Sequence, residues 1–296
     1  MENIEAETGI DKEAFNIFYE KARKQIFGNH VPTYTYNRRP IAILTGGQPG
    51  AGKSGIVIKS CLDFNEIGIS PVILDGDLYR GCYPNSKKLA TEEPEQYTDI
   101  TDKATGKVMG LLIKESILKG FDFIREGTLN SAEIVDQLIN SPKNYKIIIR
   151  LMATCREESI LSCFERYILM KETIGMGRFV TIQSHDKRYK NFPHTAREQE
   201  KKGVQIQVFE RGDITNDPIL LYDNKTDKNR FNGFEEALYF GRKQSYEKCK
   251  KDINKRIFQI EKELKIMPTN EEGILEQLEQ FKREIKVKKE KEMEER

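Results

Sequence analysis

Short runs of apolar residues recur along the first two thirds of the chain, separated by longer segments in which apolar and polar positions mix. Most runs are nearly continuous and rich in β-branched or aromatic residues, a pattern typical of strands buried on both faces. We predict strands at 41–44, 71–74, 121–124, 145–152 and 204–209. These strands indicate a sheet that is covered on both of its faces.

The segments between the predicted strands favour helices at 54–64, 102–119, 131–140, 157–175 and 194–202. Strands that alternate with helices are typical of a parallel sheet with right-handed crossover connections. A further helix is predicted at 11–28, with Asp11 as its N-cap. Residues 31–40 are predicted to be a loop, because two prolines and paired arginines break the periodicity. The predicted fold class is therefore α/β, with helices flanking a parallel sheet.

The composition changes from about residue 234, where Glu, Lys, Gln and Ile dominate. Helices are predicted at 256–264 and 274–287, with a break at 267–270. Ile257, Ile260 and Leu264 recur at helical spacing, which fits a helical hairpin, whereas a solvated and partly frayed tail is the alternative. We therefore divide the chain into an N-terminal helix with its lead-in loop (1–40), a core (41–233) and a charged helical extension (234–296).

The charge of the chain is nearly balanced, with 49 Lys and Arg residues against 47 Asp and Glu residues. This balance argues against a surface covered in basic charge for nucleic acid. No apolar run approaches the roughly 18 residues that span a bilayer, and the acidic, polar start does not resemble a secretory signal peptide. The five cysteines are scattered without a CxxC pair, so no zinc site or disulfide framework is expected. We expect a soluble, cytoplasmic protein with no membrane partner.

The most specific motif follows the first predicted strand. It matches G-x-x-x-x-G-K-[ST] throughout, with Gly47, Gln48, Pro49, Gly50, Ala51, Gly52, Lys53 and Ser54. Glycines allow a backbone in which successive N–H groups converge on an anion, and the following helix N-terminus adds partial positive charge. The lysine of such a motif reaches the β- and γ-phosphates, and the serine hydroxyl ligates Mg²⁺. The motif predicts a nucleotide-binding P-loop but leaves the reaction open.

Carboxylates follow two more of the predicted strands. Asp75 and Asp77 come after the second strand, and Glu126 and Thr128 come after the third. Open α/β sheets form their sites at the carboxyl ends of strands. We assign Asp77 to function, as a proton acceptor or a water-mediated Mg²⁺ ligand, and Asp75 to a helix cap. Glu126 and Thr128 are predicted to hydrogen-bond a polar substrate such as a sugar, with capping of the next helix as the alternative.

Two arginines flank a glycine-containing segment further along the chain. Arg166 lies in a predicted helix, and Arg178 follows Gly175-Met176-Gly177. Small-molecule kinases with a P-loop carry mobile lids whose arginines neutralise charge on the transferring phosphoryl group, whereas a surface ion pair is the alternative for each arginine. His185 and His194 are predicted to be surface residues of a polar loop, without a catalytic role.

Taken in order, these motifs resemble the zeta toxins, which are the kinase components of bacterial epsilon/zeta and related toxin–antitoxin systems. The resemblance covers about residues 40–212, and it rests on the P-loop, Asp75-Gly76-Asp77, Tyr83-Pro84-Asn85, Glu126-Gly127-Thr128, Glu165-Arg166-Tyr167 and Arg178. It implies a P-loop kinase that uses ATP and Mg²⁺ to phosphorylate the sugar 3′-hydroxyl of UDP-N-acetylglucosamine. The resemblance also implies that the product cannot serve peptidoglycan synthesis, so that growth stops.

The resemblance also implies roles for individual residues and a protein partner. On the donor side, the implied P-loop lysine is Lys53 and the implied Mg²⁺ ligand is Ser54. On the acceptor side, the implied base is Asp77 and the implied sugar contacts are Glu126 and Thr128. Arg166 and Arg178 are the implied clamp on the γ-phosphate. The implied partner is an antitoxin that docks a helix against the ATP site.

The chain departs from the family pattern at positions that concern the substrate. Gly110 falls where the toxins carry another substrate-binding glutamate, Leu129-Asn130 replaces a basic residue, and Tyr83 replaces a histidine before proline. The acceptor therefore stays open to another UDP-sugar, a nucleotide or NAD. A regulatory NTP-binding module and a nucleic-acid-acting ATPase are further alternatives. The ATPase is disfavoured because glutamates are interspersed among the basic residues at 243–256 and 282–291.

Overall fold

The computed structural model describes residues 3–28, 38–92, 96–175, 177–212, 217–226, 230–268 and 271–294. The strands in these ranges are β1 (Ile41–Gly46), β2 (Val72–Leu74), β3 (Phe123–Arg125), β4 (Lys146–Met152), β5 (Gln205–Glu210) and β6 (Ile219–Asp223). They form one sheet in the order β2-β3-β1-β4-β5-β6.

Strands β1 to β5 run parallel to one another, and β6 runs antiparallel to β5 at one edge. The parallel sheet confirms the predicted fold class. The antiparallel strand β6 was not predicted, although its apolar run Ile219-Leu220-Leu221-Tyr222 is a strand signal. Because β1 pairs with both β3 and β4, the loop after β1 leaves from the middle of the sheet.

Helices cover the sheet and extend beyond it. They are α1 (Ile4–Thr8), α2 (Lys12–Phe27), α3 (Lys53–Glu66), α4 (Gly76–Tyr79), α5 (Ser86–Glu92), α6 (Tyr97–Lys119), α7 (Glu133–Ile139), α8 (Arg156–Ile174), α9 (Ile182–Lys201), α10 (Phe234–Cys249), α11 (Ile253–Ile266) and α12 (Glu272–Glu294). A 3₁₀ turn at Arg80–Cys82 follows α4.

The predicted helix at 11–28 is confirmed as α2, and the Asp11 carboxylate caps it by accepting from the backbone N–H of Ala14 at 2.8 Å. The start predicted for the helix at 194–202 was wrong. Helix α9 begins at Ile182 and passes through Pro193, because buried side chains such as Phe192 and Ala196 hold it against the core despite the proline. Of the loop predicted at 31–40, residues 31–37 lie outside the described part of the chain.

The main core lies on the sheet and includes Phe15 and Phe18 of α2, together with Leu44 of β1 and Leu112 of α6. Phe234 of α10 also lies in this core, so the first turn of α10 packs with the sheet. The domain boundaries predicted at 40/41 and 233/234 stay predictions.

A second core forms where α11 and α12 pack against α8. Ile257 and Ile260 from α11 meet Phe281 from α12 and Phe164 from α8, and all four side chains are buried. Of the two alternatives for the C-terminal region, the described residues therefore form the helical hairpin. Among the residues that the structure describes, no helix is both long and apolar enough to cross a membrane.

Candidate active site

The P-loop leaves the carboxyl end of β1 and enters α3 at Lys53. Gly47, Gly50 and Gly52 have φ values of 151°, 73° and 91°, in the region that side chains with a Cβ rarely adopt. Gly50 also has no room for a side chain, because a Cβ there would lie 2.0 Å from the carbonyl oxygen of Ser159. The backbone is thus shaped as a concave row of N–H groups ahead of a helix N-terminus, which fits a phosphate chain.

Lys53 is the buried cation of this loop. Its side chain is 9% exposed, and its ammonium donates to the carbonyl oxygen of Gln48 at 3.0 Å. Burial lowers the pKa of Lys53 to about 8, and the charge of Glu126 partly opposes that effect while Arg166 adds to it. Burial thus brings the titration of the Lys53 ammonium closer to neutral pH.

Nucleotide affinity is expected to fall as the pH rises through about 8. Only the ammonium form of Lys53 attracts phosphate oxygens, and its fraction drops roughly tenfold between pH 7 and pH 9 for a pKa of this size. Calorimetric titration with a non-hydrolysable ATP analogue should therefore show about tenfold weaker binding at pH 9. The neighbouring Cys163 thiol does not account for the change, because burial raises its pKa. Lys53→Ala should bind the analogue weakly at both pH values. If Lys53→Ala showed the same tenfold loss of affinity between pH 7 and pH 9, the pH dependence could not be assigned to Lys53.

A buried side chain supports the loop from behind. Gln48 is fully buried, and its amide nitrogen donates to the carbonyl oxygen of Thr154 at 2.9 Å and to the Ser159 hydroxyl at 3.0 Å. The Ser159 hydroxyl also lies 2.8 Å from Nε2 of His185. The prediction of a surface His185 was wrong, since its side chain is 1% exposed and burial lowers its pKa, whereas His194 is exposed as predicted. His185 thus helps to hold the P-loop and does not face solvent.

Two further residues of the loop region have distinct positions. Ser54 is exposed at the first turn of α3, where its hydroxyl is open to solvent. Arg211 lies against Gly52 and donates to the carboxylate of Glu158 at 2.9 Å and to the Ser162 hydroxyl at 2.8 Å. No local pattern selects Arg211, because its position depends on contacts with the distant helix α8.

Three carboxylates meet at the ends of β2 and β3. Asp75 caps α4 by accepting from the backbone N–H of Asp77 at 3.0 Å, as its assignment to a cap predicted. Asp77 is exposed, with 58% of its side chain accessible. Glu126 is more enclosed, and burial followed by the charge of Asp75 raises its pKa. The site therefore holds one exposed carboxylate next to two partly enclosed ones.

Arg125, the last residue of β3, interacts electrostatically with this group and was not selected from the sequence. Its guanidinium donates to the carbonyl oxygen of Leu74 at 3.1 Å and acts electrostatically on Asp75 and Glu126. Burial lowers the pKa of Arg125. A partly buried guanidinium at this position offsets part of the negative charge of the carboxylates and joins the ends of β2 and β3.

The two predicted lid arginines reach the site from different elements. Arg178, in the segment between α8 and α9, donates to the Asp77 carboxylate at 2.9 Å. Arg166 is exposed on α8, and its charge acts on Lys53 and Cys163. The structure thus brings Lys53, Asp77, Glu126 and both arginines to one edge of the sheet.

A pocket of about 470 Å³ opens beside this edge, between α6 and the segment that follows β3. Thr128 lines it, as do Arg125 and Asn130. Gly110 of α6 faces the same pocket, and a Cβ added there would meet no atom within 4 Å. The pocket is therefore wider at this position than it would be with a side chain.

Comparisons with known proteins point to one family. The family model of the zeta toxins matches residues 26–227. Toxin PezT of Streptococcus pneumoniae is 28% identical over 217 residues, which cover 72% of this chain and 83% of PezT. Toxin zeta of Streptococcus agalactiae is 27% identical over 203 residues, which cover 66% of this chain and 70% of that toxin.

A solved structure from the PezAT chromosomal toxin–antitoxin system of Streptococcus pneumoniae has the same fold. The TM-score is 0.62 at 22% identity, over 85% of this chain and 97% of that chain. The matched family model spans more than half of the chain, including the P-loop and the carboxylates that follow β2 and β3. The chain belongs to the zeta toxin family, whose members are P-loop kinases.

Proposed function

We propose that this protein transfers the γ-phosphate of ATP to the sugar 3′-hydroxyl of UDP-N-acetylglucosamine and so blocks cell-wall synthesis. The observation that carries the proposal is the convergence of Lys53, Asp77 and Arg178 at the carboxyl edge of the sheet. A buried ammonium, an exposed carboxylate and a guanidinium 2.9 Å from that carboxylate are the groups that phosphoryl transfer to an alcohol requires.

The P-loop residues bind and orient the donor. The backbone N–H groups of residues 47–54 other than Pro49, together with the Lys53 ammonium, would hold the phosphate chain. The exposed Ser54 hydroxyl would ligate Mg²⁺. ATP with Mg²⁺ supplies the phosphoryl group and neutralises part of its charge. Gly50 keeps this loop close to α8, because any larger residue would meet the Ser159 carbonyl.

The acceptor side is formed by the carboxylates and the pocket. Asp77 takes the proton of the attacking hydroxyl at a carboxylate oxygen, and its exposure leaves it accessible to a substrate. Glu126 and Thr128 hydrogen-bond the sugar, and Thr128 lines the pocket. Arg166 and Arg178 stabilise the negative charge on the phosphoryl oxygens, so that catalysis rests on positioning and electrostatics.

A second acceptor class is favoured by one observation. Gly110 leaves open space in the pocket where the family pattern has a glutamate, so a different UDP-sugar, a nucleotide or NAD would also fit. All of these acceptors present a hydroxyl to Asp77 and would use the same donor site.

The proposal predicts transfer of ³²P from [γ-³²P]ATP to UDP-N-acetylglucosamine, with the label on the sugar. Lys53→Ala and Asp77→Ala should both abolish the labelled sugar nucleotide, since they remove the cation on the donor and the base on the acceptor. A panel of other UDP-sugars, nucleotides and NAD is tested in parallel. If ATP bound normally but no labelled UDP-N-acetylglucosamine formed, the proposed acceptor would be contradicted. The assignment as a kinase would stand, with the acceptor sought in the panel.

We also propose an antitoxin partner that docks a helix against the donor site. The solved relative comes from a toxin–antitoxin system, which supports this proposal. Expression of the wild-type chain in a bacterium should arrest growth, and expression of Lys53→Ala should not. Co-expression of an antitoxin should restore growth with the wild-type chain. Normal growth on expression of wild-type protein alone would contradict the toxin assignment.

A further inference from the structure

Helix α12 lies outside the residues matched by the family model, yet it contacts the segment that carries Arg178. We propose that Gln277 of α12 and Glu271, just before it, are positioning residues for phosphoryl transfer. They hold the segment 177–182 so that the Arg178 guanidinium reaches the site. The inference rests on the proposed role of Arg178 in phosphoryl transfer.

Gln277 fixes the end of this segment. Its amide oxygen accepts from the backbone N–H of Ile182 at 3.0 Å. Ile182 is the first residue of α9, and the first N–H groups of a helix have no partner within the helix. Thr181 caps the N–H of Ser184, so Gln277 satisfies a different one of these donors. A side chain of α12 therefore supports the first turn of α9.

Glu271 fixes the start of the segment through Tyr167. It is 5% exposed, accepts from the Tyr167 hydroxyl at 2.5 Å and pairs with Lys171 at 3.4 Å. Both partners lie on α8, so this buried carboxylate ties the N-terminal end of α12 to the helix that precedes the segment.

The Tyr167 ring is the surface on which the segment rests. A Cβ added to Gly177 would lie 2.6 Å from this ring, and the ring of Phe179 packs edge-on against it at 5.9 Å. Phe179 also contacts the ring of Phe164 at 4.9 Å. Arg178 thus lies between Gly177 and Phe179, which both pack against the Tyr167 ring.

This arrangement explains how a long side chain can be directed at one carboxylate. The backbone on both sides of Arg178 is held, by Tyr167 before it and by Gln277 after it, so fewer conformations are lost when the guanidinium engages its target. A guanidinium placed in advance contributes more to a transition state than one that must be ordered first.

Gln277→Ala and Tyr167→Phe test the inference, with Gln280→Ala as the matched control. Gln280 lies one turn further along α12, is exposed and hydrogen-bonds only Glu284 of the same helix in the described contacts. Both test variants should lower kcat about tenfold with an unchanged Kd for ATP, because a small displacement of a catalytic group lowers the rate while the P-loop is untouched. Gln280→Ala should match the wild type.

A double-mutant cycle with Arg178→Ala separates positioning from general destabilisation. If Gln277 acts through Arg178, Gln277→Ala should cause little further loss in the Arg178→Ala background. An equal loss in both backgrounds, or equal kinetics for Gln277→Ala and Gln280→Ala, would overturn the inference.

Hydrogen–deuterium exchange gives a readout that needs neither ATP nor an acceptor. Gln277→Ala should speed exchange of the Ile182 amide and of peptides spanning 177–182 several-fold, while peptides from β1 and α3 stay protected. Unchanged exchange at 177–182 would overturn the inference whether or not UDP-N-acetylglucosamine is the acceptor. Failure of the proposed function alone would leave the exchange result intact.

Discussion

Asp77→Asn is expected to lower phosphoryl transfer by about 10²–10⁴-fold, the range that a positioned general base contributes. The substitution keeps the size of the side chain and removes its ability to accept a proton. ATP affinity should be retained or rise a few-fold, since Arg178 loses its carboxylate partner and becomes available to the phosphates. Single-turnover kinetics and calorimetry measure the two quantities separately.

Asp102→Asn is the matched control for this prediction. Asp102 accepts from the guanidinium of Arg80 at 2.6 Å, and the same guanidinium lies 3.5 Å from Asp77. The control therefore disturbs a neighbouring ion pair without removing the proposed base, and its transfer rate should stay within a few-fold of the wild type. Near-normal turnover of Asp77→Asn would refute the base assignment.

Loss of Arg178 should produce the second large effect. Arg178→Ala is expected to lower kcat by about 10³-fold or more, because an arginine that stabilises a transferring phosphoryl group contributes about 10³–10⁵ in rate. Arg166→Ala should also lower kcat by about 10³-fold or more, for the same reason. Arg178→Lys keeps a positive charge without the planar fork, so it should recover only part of the activity.

Arg197→Ala provides the comparison for both arginines. Arg197 lies on the surface of α9, where it pairs with Glu235, and exposed pairs of this kind contribute little. Rates are measured at saturating ATP and acceptor, so that a change in kcat is not confused with weaker binding. If Arg178→Ala turned over like Arg197→Ala, the clamp role would have to be abandoned.

The parts of the site that could be predicted from sequence are those whose chemistry is local. The P-loop is one continuous segment because its glycines, lysine and serine act on one phosphate chain, so its spacing is visible without a structure. Asp77 and Glu126 were selected because residues after parallel strands reach the same edge of a sheet. These placements require only the order of strands and helices.

The residues that were missed owe their positions to contacts between distant segments. Arg125 belongs to the site because its charge acts on Asp75 and Glu126, and Arg211 because it lies against Gly52 from a distant part of the chain. His185 was assigned to the surface because a polar stretch surrounds it, yet one face of α9 buries it against Ser159. No local pattern reports which face of a helix meets the P-loop.

The C-terminal helices illustrate the same difference. Their periodicity predicted helices, and it left open whether those helices pack. Whether they pack depends on α8, whose buried side chains such as Phe164 provide the surface that Ile260 and Phe281 cover. A stripe of apolar residues becomes a core only when a partner stripe exists elsewhere in the chain.

In the proposed mechanism, the ion pair between Arg178 and Asp77 makes one guanidinium common to both halves of the reaction. A γ-phosphate that attracts Arg178 also releases Asp77 from its partner, and an acceptor hydroxyl that occupies Asp77 makes Arg178 easier to withdraw. Each substrate then favours the state in which Arg178 and Asp77 are separated, which is also the state that binds the other substrate. Because such coupling is reciprocal, ATP should tighten acceptor binding by the same factor as the acceptor tightens ATP binding. The protein would in this way favour the ternary complex over either binary complex.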